Sequence, residues 1–316
     1  MGGKKIFITG MAGYFAGRLC RELDRIDWCE KFYGVDVRKP LYKYDRAEFR
    51  IMDINSPELG KWVSEIKPDI FIHLAFLVEE IHNKELMRRV NVDGTGNALK
   101  ACEMADVPQI LVASSGTAYG AWKDNPIPLK EEHSLKPNPG FYYAVHKAEL
   151  EDLCNQYIKR HPKTIFSIIR PCVVYGPNVS NYLSDLVDMP ILTGIRGYAP
   201  PLQFIHEDDL CSAILLILEK QGRGAFNLAP EDTITFPEIF EMSKKMSVNL
   251  PYWLMVLITA LFWKLHIFKF STGFLDYIRY PWVIDSSRLR NELGFKFRYS
   301  SRETMEILLR SKKILP

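Results

Sequence analysis

Residues 5–17, KIFITGMAGYFAG, decide the fold. Ile6, Phe7, Ile8 and Thr9 read as a short buried strand, which runs into Gly10, Gly13 and the small residue Ala16. The helical pattern RLCREL follows at residues 18–23. Strand, glycine turn and helix are the context in which that spacing has meaning. Gly10 permits a tight turn, and Gly13 lets the backbone approach a pyrophosphate. Ala16 keeps helix and strand close, while the helix N-terminus offers unpaired N–H groups to an anion. A second strand, KFYGVD at residues 31–36, ends in the carboxylate of Asp36, spaced as an acid that meets an adenosine ribose would be. Together they predict a dinucleotide site.

The rest of the chain repeats the alternation. Strands are expected over residues 47–54, 67–75, 108–114, 164–170 and 225–228, and helices over 91–102, 142–160 and 208–219. Strands alternating with helices predict an α/β fold: a Rossmann-type doubly wound parallel sheet. The pattern changes after Pro177. Residues 1–177, with 201–229 returning to them, are expected to form a dinucleotide-binding domain. Residues 178–200 and 230–316 are expected to form a smaller, mostly helical substrate-binding domain. A chain of 316 residues, 47% hydrophobic and 25% charged, can bury a core large enough for both. Net charge is only +3, from 41 basic and 38 acidic residues without a Lys/Arg block, which argues against a nucleic-acid partner. Six scattered cysteines without a C-x-x-C pair predict reduced core thiols, no metal and a cytoplasmic location. The first strand begins almost at once, which leaves no room for a signal peptide.

Two clusters carry candidate chemistry. VASSGTAYG, residues 112–120, puts the hydroxyl of Ser115 just past the C-terminal end of the fifth strand, where open α/β sheets bind ligands. YAVHK, residues 143–147, places the phenol of Tyr143 and the ammonium of Lys147 four apart, on one helical face. A free phenol has a pKa of about 10. A nearby ammonium favours the phenolate, so Tyr143 could take a proton from an alcohol while hydride leaves the same carbon. Ser115 would hydrogen-bond the same oxygen.

These motifs resemble those of the extended short-chain dehydrogenases/reductases, the NAD-dependent epimerase/dehydratase family. Further family-like stretches are His73-Leu-Ala75, Asn91 through Thr95, Arg170-Pro171 through Pro177, residues 204–209 and residues 226–228. The resemblance implies a catalytic set of Ser115, Tyr143 and Lys147. It implies a cofactor site of Gly10, Gly13, Asp36, Asp53, Ile54, Leu74, Ala75, Phe76, Asn91, Tyr143, Lys147 and Pro171. NAD is implied ahead of NADP, because Asp36 would repel a 2′-phosphate, although Arg38 and Lys39 stand close in sequence. His73 and His206 are expected to pack, and Asp209 to cap a helix. A small-molecule substrate and a homodimer built on the helices near 91–104 and 142–160 are also implied.

The departures from the family bear on substrate. Gly116-Thr117 stands where dehydratases carry an acidic pair. Val173 and Leu202 stand where nucleotide-sugar epimerases place an asparagine and an arginine near the diphosphate. Arg196 is the cation nearby in sequence. A nucleotide-sugar epimerase, a dehydrogenase of a hydrophobic, sterol-like alcohol and a catalytically silent NAD-sensing scaffold therefore remain as readings. Last, LPYWLMVLITALFW, residues 250–263, is apolar on all sides but short of the roughly 20 residues that span a bilayer. It reads first as a buried helix, then as a lid over an apolar substrate, then as an interfacial helix making peripheral membrane contact through residues 250–269.

Overall fold

The computed structural model describes residues 3–179 and 181–315. Met1 and Gly2, where the reading on a leader begins, lie outside the described residues. Strands β1 (Lys4–Thr9), β2 (Cys29–Asp36), β3 (Ala47–Ile51), β4 (Ile70–His73), β5 (Gln109–Ala113) and β6 (Ile165–Pro171) join a late strand, Gly224–Leu228, in one seven-stranded sheet. Every pairing in it is parallel, in the order late strand, β6, β5, β4, β1, β2, β3. Both faces are covered, and the central strands β4 and β5 are buried along their whole length because each side chain, up or down, meets a core, whereas the edge strand β3 is partly exposed. Ile6 and Ile8 point into one cluster and Phe7 into the other; Ile72 and Phe71, then Leu111 and Ile110, repeat the alternation.

Helices α1 (Tyr14–Leu23), α2 (Glu58–Ile66), α3 (Lys84–Arg88), α4 (Gly94–Met104) and α5 (Tyr142–Arg160) accompany the first six strands. A π-helical turn, Arg89–Asp93, joins α3 to α4. It lies at the start of the helix expected over 91–102. Residues 53–54 and 74–75, expected as strand, lie past the ends of β3 and β4. Beyond β6 come β7 (Val173–Tyr175), α6 (Tyr182–Asp185), β8 (Ile191–Ile195), β9 (Phe204–His206) and α7 (Glu207–Glu219). The late sheet strand is β10, followed by α8 (Phe236–Ser243), β11 (Met246–Leu250), α9 (Tyr252–Lys264), α10 (Ser287–Leu293) and α11 (Ser301–Ser311). Two small parallel sheets pair β7 with β9 and β8 with β11, and the second adds strand to a region read as mostly helical.

Two expectations are corrected. Asp209 caps nothing: it is fully buried and accepts from Arg298 Nε at 2.9 Å and from the Arg298 and Tyr299 backbone. The cap of α7 is His206, which accepts from Asp208 N at 3.2 Å. Nor is the apolar run buried. Only Met255 and Thr259 of α9 are buried, while Trp253, Leu257 and Leu261 are exposed. All six cysteines are buried free thiols.

Helix α5 is anchored to the sheet by a buried ion pair. Glu151 receives Arg170 Nη2 of β6 at 2.7 Å and Arg170 Nε at 2.9 Å, and Ser114 Oγ donates to it at 2.5 Å. Arg170 also donates to the Tyr119 hydroxyl at 2.5 Å. Removing one partner of such a pair strands a buried charge. Arg170→Met is therefore expected to destabilise the fold by about 3–5 kcal/mol in denaturant titrations, and Arg170→Met with Glu151→Leu by distinctly less. A double variant as unstable as the single one would contradict this account.

Candidate active site

The glycine turn is shaped by what lies behind it. Gly10 has φ +75°, and a Cβ there would meet the backbone of Leu74 and Ala75 at 2.6–2.8 Å. Gly13 precedes α1 without a side-chain cap, and the first turn of α1 carries no acid. A bare helix N-terminus beside a close backbone turn is suited to a pyrophosphate. At the end of β2, Asp36 accepts from Ala12 N at 3.1 Å and from Arg38 N at 3.0 Å, so its carboxylate is fixed against the turn. Asp53 accepts from Asn55 N at 2.8 Å, and the buried Ile54 packs against Gly94.

Gly10, Gly13, Asp36, Asp53 and Ile54, with Leu74, Ala75, Phe76, Ser115, Tyr143, Lys147 and Pro171, line one cavity of about 920 Å³. Asn91 does not line it. It is buried in the π-helical turn, where its amide accepts from Leu77 N at 2.7 Å and donates to Leu77 O at 3.2 Å. It thus holds the loop after β4 from behind. The residues present fit a dinucleotide. His73, also behind the wall, bonds Thr9 Oγ1 at 2.7 Å and Thr95 Oγ1 at 3.0 Å. Burial holds its pKa down at about 3, so it packs as a neutral ring.

Ser115, Tyr143 and Lys147 converge because β5 ends where α5 begins to cross it. Ser115 caps the 3₁₀ turn Gly116–Tyr119, and its Oγ accepts from Thr117 N at 3.2 Å and Thr117 Oγ1 at 2.9 Å. Its own proton is left to donate. Tyr143, edge-on to Phe76, lies where the Ser115 hydroxyl favours its phenolate. Burial pushes the phenol up to about 12, and the Ser115 hydrogen bond works the other way. The lysine-driven fall expected for the phenol is not what sets it in the protein alone: burial raises it, and the opposing influence comes from Ser115. Lys147 Nζ donates to Ala113 O at 2.7 Å and sits 3.5 Å from the Phe76 ring centroid. Burial lowers its pKa to about 7, against a rise from Glu151 one turn on.

Sequence reasoning passed over several groups around this centre. Thr117, seen only as the lack of an acid, orients Ser115 and itself lines the cavity. Tyr277 donates to Thr117 O at 2.8 Å. Glu80 accepts from Tyr142 N at 2.9 Å, serving as the cap that α5 lacks, and from Ser271 N at 2.6 Å. The aromatic spacing of Phe268, Phe270 and Phe274, which line the cavity, was the available signal.

The far half of the cavity is apolar. Val173 and Leu202 line it, with Leu192, Phe240, Met255 and Phe262 among their neighbours. Among the described residues, the cations in the lining are Arg38 and Lys147, both in the cofactor motifs. Arg196 is exposed and outside the lining, and Arg279 lies over the rings of Tyr198, Tyr252 and Tyr280. No group of three or more His, Cys, Asp or Glu that could hold a metal occurs among the described residues.

A doubly wound parallel sheet with a glycine turn and a Ser-Tyr-Lys cluster in one cavity defines an oxidoreductase of the dinucleotide-binding kind. The chain belongs to the NAD dependent epimerase/dehydratase family, whose model matches residues 6–229. It is accordingly an enzyme of that NAD-dependent class. An uncharacterised protein of Mycobacterium tuberculosis is 22% identical over 99% of this chain and 85% of its own length. Among solved structures, MoeE5 in complex with UDP-glucuronic acid and NAD superposes with TM-score 0.77 at 21% identity, covering 98% of this chain and 99% of that one. UDP-glucose 4-epimerase of Thermotoga maritima with UDP-glucose gives TM-score 0.77 at 17% identity, covering 98% of each chain. At these identities the likeness is one of fold.

Two outcomes follow from the cluster. Tyr143→Phe is expected to lower kcat by about 10²–10⁴-fold, with NADH binding by fluorescence titration essentially unchanged. A variant that turns over like the wild type would remove Tyr143 from the chemistry. The second concerns stability. Lys147 titrates near 7 in the fold but near 10.4 when unfolded. Between those values the unfolded chain holds the extra proton, so this residue's contribution to stability rises with pH from about 7 to 10. Urea unfolding at pH 7 and 9.5 should therefore show the wild type gaining on Lys147→Met as pH rises; a constant difference would contradict it.

Proposed function

We propose that this protein interconverts an apolar secondary alcohol and its ketone, with NAD as the hydride carrier. The observation that carries the reading is the apolar far half of the cavity, where Val173 and Leu202 stand and, among the described residues, no cation is offered to a diphosphate. Two lost charge-assisted contacts would forfeit roughly 1.5–3 kcal/mol each for a nucleotide sugar. For an apolar substrate the same aliphatic surface is favourable.

The turn at Gly10 and Gly13 would hold the pyrophosphate, Asp36 the ribose hydroxyls, and Asp53 with Ile54 the adenine. When bound, NAD supplies acceptance or return of hydride at the carbinol carbon. Tyr143 takes the hydroxyl proton in oxidation and gives it to the ketone oxygen in reduction. Ser115 donates to that oxygen, and charged Lys147 favours the phenolate. Because burial holds the Tyr143 phenol near 12, it is protonated and ready to act as an acid at neutral pH.

A homologous series of methyl ketones, followed by NADH consumption, tests the substrate class. Each methylene buried in the apolar half is worth about 0.8 kcal/mol, so kcat/KM should climb about fourfold per carbon until the cavity is full. A flat series, together with turnover of a nucleotide sugar, would overturn the reading.

A further inference from the structure

Helix α9 has two apolar faces with different surroundings. Met255, Ile258, Thr259 and Phe262, spaced three and four apart, line the cavity. On the other face Trp253, Leu257 and Leu261, four apart, are 63%, 58% and 54% exposed, and Leu265 and Ile267 continue the ridge at 56% and 58%. One helix is thus at once a wall of the substrate chamber and a line of large apolar side chains in water. The chamber itself includes Val78, Met189 and Ile191, which also remain exposed.

Charge identifies the occupant. Residues 242–275 contain four lysines and no aspartate or glutamate. Lys244 and Lys264 are exposed, whereas Lys245 donates to Val187 O at 2.7 Å and Lys269 pairs with Glu79 at 2.9 Å. A second copy seated by two-fold symmetry would set the exposed Lys264, three residues after Leu261 on the same helical face, against its own image. An anionic bilayer surface complements it: apolar side chains enter the headgroup boundary and the lysines remain at headgroup level. The helix runs for 13 residues, and no helix among the described residues is long and apolar enough to cross a membrane, so it would lie in the plane.

We infer that the exposed face of α9 and the turn after it, from Trp253 to Ile267, dock on a phospholipid surface carrying anionic headgroups, with the wall of the substrate chamber turned toward the lipid. The surface stands on its own residues; only its purpose, loading an apolar substrate from the bilayer, rests on the function proposed above.

Flotation of the full chain with vesicles of phosphatidylcholine alone, and with phosphatidylglycerol added, tests it without any substrate. Binding is expected to the anionic vesicles, to weaken with salt, and to fall at least about tenfold in Trp253→Ser/Leu257→Gln/Leu261→Gln. None of these side chains lines the cavity, so NADH binding and melting temperature should be retained and confirm that the variant is folded. No association of the wild type with either vesicle, or equal association of the triple variant, would overturn the inference. So would a concentration-dependent dimer in sedimentation velocity that the triple variant abolishes, since the face would then belong to a second copy. Vesicle binding by a protein that reduces no apolar ketone would uphold the surface while removing the substrate reading.

Discussion

The site depends on one buried charge pair. Glu151, on the face of α5 that also carries Lys147 and Tyr143, receives two nitrogens of Arg170 from β6 and the hydroxyl of Ser114 at the end of β5. Desolvating both charges is costly, and the full set of hydrogen bonds is what makes the pair tolerable. Its consequence is positional. With Glu151 held, the residues one and two turns earlier are aimed at the C-terminal ends of the strands, where Ser115 waits. Glu151 also supports the charge of Lys147 against the burial that would strip it.

The same alignment explains the division of the cavity. At the cofactor end, polar groups are backbone amides, a bare helix start and the fixed carboxylate of Asp36. Past Ser115 and Tyr143 much of the lining comes from the segments after β6, and these contribute mainly aliphatic and aromatic side chains, with the uncharged Asn181, Thr193 and Thr259 among them. Charge is therefore available where a dinucleotide would lie and scarce where a second reactant would lie. Thr117, Tyr277 and Glu80 tie the Ser115 hydroxyl and the start of α5 to the C-terminal region, so the chamber and the cluster are built as one unit.

Much of this was legible in the chain because short-range patterns determine it. The apolar runs of β1, β4 and β5 and the spacing of Gly10, Gly13 and Asp36 need no knowledge of distant residues. The four-residue spacing of Tyr143 and Lys147 likewise places them on one face. What was illegible depends on tertiary partners. Asp209, three residues into α7, looks like a cap until Arg298 arrives from nearly ninety positions away. Helix α9, apolar all round, carries no stripe to say which side is covered, so its burial could not be read. Strands β7 and β9, three residues each, are too short to show a period.

The central claim is that the second reactant is apolar. It is tested most directly by calorimetric titration of the NADH-loaded protein at several temperatures, with a long-chain ketone and with UDP, dTDP, GDP and CDP. Burial of apolar surface leaves a negative heat-capacity change as its mark. The account predicts that signature for the ketone and no binding heat for any nucleoside diphosphate. Tight binding of one of the nucleotides, with the ketone silent, would contradict it.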